Sequence, residues 1–207
     1  MKALFVNGSP HVDGCTKRGL KEVEKILLEN GIETDWIEVG NKDIRGCIGC
    51  YYCRKHHKCV FNDIVNETAK KFEEADAVII GTPVYYAGPN GQLHSFLDRW
   101  FFSTSRAFDK TMKVGATVVS SRRAGSTSAF DDINKYFTIS SMPVASSTYW
   151  NEVHGFTKEE VEKDLEGLQT MRNLGRNIAF LLQAINAQKE KGGLPKQEKE
   201  NFTNFIR

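Results

Sequence analysis

Short apolar runs, each followed by a longer stretch with helical spacing, leave this chain few folds to choose from. Residues 2–7 (KALFVN), 76–81 (DAVIIG) and 113–120 (KVGATVVS) are strand-length and nearly free of polar alternation, the pattern of strands buried on both faces. Residues 34–39 read as the second strand in chain order and 143–149 as the fifth. Between the strands, Leu20, Val23 and Leu27 recur at helical spacing before an Asn30-Gly31 stop. Asn62-Asp63 can cap a helix carrying Val65, Ala69 and Phe72, and Leu93, Phe96, Leu97, Trp100 and Phe101 mark another that starts near Gly91. A further helix surrounds residues 129–137. The last and longest opens on a capping box, Thr157-Lys-Glu-Glu160, and carries the stripe Val161, Leu165, Leu168, Met171, Leu174, Ile178, Leu181 and Ile185. Such alternation predicts an α/β domain: a doubly wound, five-stranded parallel sheet in the order 2-1-3-4-5 with helices on both faces. In that order the loops after strands 1 and 3 lie side by side at the topological switch point, where sheets of this kind bind ligands.

A chain of 207 residues is most simply one domain, here expected over residues 1–191 with a polar tail at 192–207. Phe202, Phe205 and Ile206 in that tail are candidates for packing between subunits. No apolar run is long enough to span a bilayer and no signal-like segment opens the chain, so a soluble cytoplasmic protein with no membrane partner is expected. A net charge of +2, with basic residues scattered, gives no reason to expect nucleic acid.

Four of the five cysteines fall in a thirteen-residue window, Cys47-Ile-Gly-Cys50-Tyr-Tyr-Cys53-Arg-Lys-His-His-Lys-Cys59. Thiols at i, i+3 and i+6 converge if the backbone coils tightly, and the fourth can close the site from the other side. Thiolates gathered in this way suit a soft centre, an iron–sulfur cluster or zinc. The spacing is close to the bacterial ferredoxin run, with a longer last gap and no proline after the fourth cysteine. Structural zinc more often takes two C-x2-C knuckles well apart, which favours iron–sulfur. Disulfides are the lesser alternative in a reducing compartment.

Three loops are expected at the crevice. The first, from Asn7 to Thr16, combines glycines, the hydroxyls of Ser9 and Thr16, and a helix N-terminus near Lys17, with His11 and Lys17 adding positive character. Phosphate is the natural guest, although the same residues could simply make a turn and a cap. The loop matches neither the P-loop nor the G-x-G-x-x-G pattern. The second, Gly81-Thr-Pro-Val-Tyr-Tyr-Ala-Gly-Pro89, is a rigid shelf bearing Tyr85 and Tyr86, on which a flat heteroaromatic ligand could stack. The third, Ser120-Ser-Arg-Arg-Ala-Gly-Ser126, brings hydroxyls, backbone N–H groups and two guanidinium groups to the same edge.

In this order Gly8-Ser-Pro-His, Gly14-Cys-Thr16, the cysteine segment, Thr82-Pro-Val-Tyr-Tyr, Leu97-Asp-Arg99 and Ser121-Arg-Arg-Ala-Gly125 make the chain resemble the NADPH-dependent FMN reductase-like flavoproteins. The cysteine spacing is similar to that of the iron–sulfur flavoproteins within them. The resemblance spans about residues 2–185 and implies a flavodoxin-like fold with FMN bound non-covalently at the switch point. It implies that Ser9, His11, Cys15, Thr16 and Lys17 surround the FMN phosphate, and that Pro83, Val84, Tyr85 and Tyr86 border the isoalloxazine. Ser121, Arg122, Arg123 and Gly125 would close the other edge. Cys47, Cys50, Cys53 and Cys59 would hold a 4Fe–4S cluster, and homodimers or homotetramers would be the assembly. His11 and Cys15 stand where the family loop usually carries arginine and asparagine.

The leading expectation is an FMN-dependent oxidoreductase that takes electrons from NAD(P)H or a ferredoxin-like protein, with the cluster as relay, and passes them to a small-molecule or protein acceptor. No side-chain acid, base or nucleophile is demanded, so no catalytic residue is assigned. An NAD(P)H-dependent FMN, quinone or azo reductase with structural or empty cysteines is one alternative. A flavodoxin-like electron carrier is the other.

Overall fold

The structure is a computed structural model that describes residues 1–198, 201, 203 and 205. Five strands form one sheet: β1 (Lys2–Asn7), β2 (Glu33–Glu38), β3 (Ala77–Pro83), β4 (Val114–Ser121) and β5 (Glu152–His154). All neighbours are parallel and the order is β2-β1-β3-β4-β5, as the alternation of runs predicts. The helices are α1 (Cys15–Glu29), α2 (Tyr52–His56), α3 (Ile64–Glu67), α4 (Ala69–Glu74), α5 (Gly91–Thr104), α6 (Ser126–Thr138), α7 (Lys158–Val161) and α8 (Leu165–Gly192). None among the described residues is long and apolar enough to cross a membrane.

Strand periodicity sorts the apolar residues into two cores. Ala3, Phe5, Ile79 and Val118 face α1 and α8, where they bury Leu20, Val23, Met171, Leu174 and Ile178. Their neighbours Leu4, Val6, Val78 and Ile80 point the other way, onto Phe72, Phe96, Trp100 and Phe137. Phe72 stacks on Trp100 with ring centroids 4.1 Å apart. That cluster anchors α5, which carries Arg99, Phe102 and Ser103 into the wall of a cavity beside the cysteine segment.

Three elements depart from the sequence reading. The fifth strand is β5 at Glu152–His154, not residues 143–149; that segment touches β4 only through the bridge from Val144 to Gly115. Its serines spend their polar groups on α8 instead: Ser147 Oγ donates to Thr170 O at 2.7 Å, and Ser146 O accepts from Asn177. The capping box belongs to a separate short helix. Thr157 caps α7, and Asp164 then starts α8 by accepting from Gly167 N, so Leu165 is exposed and Leu182 joins the stripe in its place. The helix expected behind Asp63 is divided at Thr68 into α3 and α4. Of the tail residues proposed for packing, Phe202 and Ile206 lie outside the described residues.

Candidate functional site

Loops from β1, β3 and β4 meet at the C-terminal edge of the sheet. Gly8 N donates to Gly81 O at 2.8 Å, Val84 N to Ser120 O at 3.0 Å, and Thr16 Oγ1 and Ser120 Oγ share a hydrogen bond of 2.7 Å. The N-terminus of α1 opens into this edge behind Gly14. No side chain caps it and no acidic residue occupies its first turn, so its leading N–H groups and positive dipole end are free for an anion. Ser9 is buried, and its Oγ accepts from His11 N at 3.1 Å, which turns the loop over the helix start.

The side chains expected around a phosphate divide. Ser9 and Thr16 are buried at the start of α1, and His11 is exposed on the loop. Cys15 turns into the fold: its thiol donates to Gly155 O at 3.5 Å, and burial pushes its pKa up, so it contributes a backbone N–H and no charge. Lys17 pairs with Glu38 and lies over the Trp36 ring at 3.3 Å, so its charge is already spent beside β2. Main-chain N–H groups are therefore the main donors this loop leaves free for an anion.

On the shelf after β3, Tyr85 and Gly88 exchange backbone hydrogen bonds of 2.8 and 2.9 Å around Tyr86 and Ala87. Both central residues are left-handed, at φ 50° and 61°. This two-residue geometry favours Asn-Gly. The turn holds Tyr86 out fully exposed, with Tyr85 half-exposed and Pro83 and Val84 behind them. Gly125, at φ 90°, packs so closely that a Cβ there would stand 2.9 Å from Ala87 Cα, which locks the β3 and β4 loops together. Ser121 Oγ is buried beside them without a hydrogen-bond partner, and Arg122 and Arg123 are exposed at the mouth. An unsatisfied hydroxyl at a binding edge fits a polar ligand atom. Because Ala87 pays for a left-handed backbone, Ala87→Gly should stabilise the fold by about 0.5–1 kcal/mol, net of glycine's greater unfolded freedom. Thermal melting would read this as a rise of about 2 °C, and a lower melting temperature would show the turn to be unstrained.

The cysteine segment coils as its spacing requires, through left-handed Gly49, Tyr51 and His57 on either side of α2. All four thiols are free; Cys47 and Cys50 are exposed, Cys53 and Cys59 half-buried. They line one cavity whose walls include Ile48, Phe61, Phe102 and Arg99. Burial pushes the Cys53 thiol up, and the nearby sulfurs of Cys59, Cys47 and Cys50 push it further, a mutual repulsion that a cationic centre would relieve. Among the described residues no three His, Cys, Asp or Glu side chains converge closely enough to hold a single metal ion. Four thiols spread round a cavity suit a multi-iron body, with one thiolate per iron, better than one zinc ion.

Two residues that the sequence reading gave no role secure this segment. Asn66 accepts from Cys59 N and donates to Cys59 O and Phe61 O. Arg99, only 1% exposed, forks onto both carboxylate oxygens of Asp63, reaches Arg45 O, and donates through Nε to Cys59 Sγ at 3.3 Å.

An all-parallel sheet in this order, with its ligand loops at the C-terminal switch point, defines a flavodoxin-like fold. Solved structures agree: RosB superposes with a TM-score of 0.68 at 15% identity, covering 100% of this chain and 94% of RosB. An archaeal flavodoxin gives 0.57 at 17% identity over 88% of this chain and 99% of its own. Residues 1–157 match the sequence profile of the NADPH-dependent FMN reductase family, and the chain belongs to that family. The chain is 35% identical to an iron-sulfur flavoprotein of Methanocaldococcus jannaschii over 89% of this chain and 99% of the relative. It is 28% identical to the iron-sulfur flavoprotein of Methanosarcina thermophila over 92% of this chain and all of the relative.

Proposed function

We propose that this protein is an FMN-dependent oxidoreductase in which a 4Fe–4S cluster on Cys47, Cys50, Cys53 and Cys59 exchanges electrons with the flavin. The observation that carries this reading is α5. The helix starts directly behind the tyrosine shelf and, eight residues on, puts Arg99 into the wall of the cysteine cavity, a rise of about 12 Å. One helix thus runs from the end of the tyrosine shelf to the wall of the cysteine cavity. Bound FMN and cluster would supply two-electron and one-electron chemistry respectively. The chain's own groups bind and orient. The N–H groups of α1, with Ser9 and Thr16, would hold the phosphate, and Ser121 Oγ would gain the partner it lacks. Pro83, Val84, Tyr85, Tyr86 and Gly125 would border the ring. Arg122 and Arg123 at the mouth would meet an anionic donor such as NAD(P)H or an acidic ferredoxin-like protein.

A second reading, an NAD(P)H-dependent FMN, quinone or azo reductase with structural or empty cysteines, keeps the same flavin edge, and it takes its support from the free, partly exposed thiols. Anaerobic purification followed by absorption spectra and flavin, iron, zinc and sulfide analysis decides between them. The expected result is about one FMN and about four iron per chain, with NADPH turnover on an artificial acceptor. FMN with zinc or no metal after reconstitution would select the second reading; a chain that takes up no FMN would end both.

A further inference from the structure

We infer that Arg99 is a positioning residue for the fourth cysteine, and that its Nε–H···Sγ bond to Cys59 raises the reduction potential of the centre this cysteine helps hold. The inference rests on the iron–sulfur reading above. It starts from a cost. A guanidinium removed from water is strongly unfavourable unless its donors are used, and Arg99 is essentially fully buried. Four hydrogen bonds satisfy it, and all of them run to the cysteine segment or its flank: Arg45 O two residues before Cys47, Cys59 Sγ, and both oxygens of Asp63. The planar fork therefore staples the start and the end of the coil at once, which a lysine ammonium cannot reproduce.

The four sulfurs are not equivalent. Among the described residues, Cys59 is the only member of the quartet whose sulfur receives a hydrogen bond. A donor at a ligand sulfur withdraws charge from it and favours the more negative, reduced state of the centre. Asp63 neutralises the guanidinium and also caps α3 by accepting from Val65 N. Arg99 and Asp63 therefore push the potential in opposite directions, although both hold the same loop. That opposition separates tuning from mere scaffolding.

The test is a dithionite titration of anaerobically reconstituted full-length protein, followed optically and by EPR, with iron content, FMN content and thermal melting measured in parallel. Arg99→Lys keeps a positive charge near Asp63 but loses the Nε–H donor. At the potential that half-reduces the parent protein, its reduced-to-oxidised ratio should fall about tenfold, equivalent to 59 mV for a one-electron couple. Asp63→Asn, which retains a good helix cap, leaves the sulfur bond and removes the counter-charge, so its potential should rise. Opposite shifts support the inference. Parent potentials in both variants, or joint loss of iron and thermal stability with an unchanged potential in whatever cluster remains, would reduce Arg99 to a scaffold. If Arg99→Lys fails to fold, the Asp63→Asn shift decides alone. If the parent protein takes up no iron, the cluster reading itself is overturned and this one falls with it.

Discussion

Replacing Cys47, Cys50, Cys53 or Cys59 singly by alanine should take iron from about four per anaerobically reconstituted chain to nearly none, while FMN content stays at the parent level. The separation follows from where the residues sit. The thiols line a cavity beside α2 and α5, whereas the proposed flavin edge is built from the loops after β1, β3 and β4. The local fold does not depend on the sulfurs of Cys47 and Cys50. Cys59 is held through its main-chain N–H and C=O by Asn66, and Cys47 and Cys50 are exposed. Metal-free Cys47→Ala and Cys50→Ala should therefore melt within about 1–2 °C of the metal-free parent, the range of surface substitutions, whereas Cys59→Ala takes the acceptor from buried Arg99 Nε and should melt lower. Cys15→Ala is the control. That thiol faces Gly155 on the other side of the sheet's edge, and its loss should leave iron unchanged. Full iron retention in any one quartet variant would remove that cysteine from the ligand set. Loss of FMN together with iron would show that the two sites share structure.

How much of this could be read from the sequence follows from what is local. The order of the sheet was legible because continuous apolar runs such as Val78–Ile80 are written in the chain itself, and the parallel crossover rule does the rest. The coil of the cysteine segment was legible because C-x2-C-x2-C demands it. Short-range competition caused the misreadings. Residues 143–149 have strand propensity, but the Ser146-Ser147-Thr148 run bonds α8, and Asp164 supplies a second helix cap that a single capping box does not reveal. Long-range pairing hid the rest. Lys17 sits at the expected helix start, yet nothing nearby in sequence says that Glu38 and Trp36, about twenty residues away, will claim its charge. Arg99 was visible only as part of the Leu97-Asp-Arg99 motif, and its bond to Cys59, forty residues distant, exists only in the fold.

Gly40 belongs to the same class of hidden residues, and its substitution should have the largest effect on the flavin edge. It follows β2, whose Glu38 lies beside Asn7 in the sheet register, and both Val39 N and Gly40 N donate to Asn7 O. That pulls the backbone of Gly40 against the phosphate-type loop. A Cβ at this position would stand 2.2 Å from Ser9 carbonyl carbon and 2.3 Å from its oxygen. The obstruction is main chain, so no side-chain rotamer can relieve it. Either β2's end or the loop must move. Overpacking of this kind costs about 1–3 kcal/mol, a drop of about 2–12 °C in melting temperature for a domain of this size. Displacement of Ser9 also undoes its bond to His11 N and shifts the mouth of α1, where the anion would sit. Losing about two charge-assisted hydrogen bonds there corresponds to at least about a hundredfold weaker FMN binding, by the usual worth of about 1.5–3 kcal/mol each. Gly46→Ala provides the contrast, since nothing lies within 4 Å of its added methyl group. It should match the parent in both measurements. Equal FMN affinity and melting temperature for Gly40→Ala and Gly46→Ala would place the phosphate somewhere other than the loop between β1 and α1.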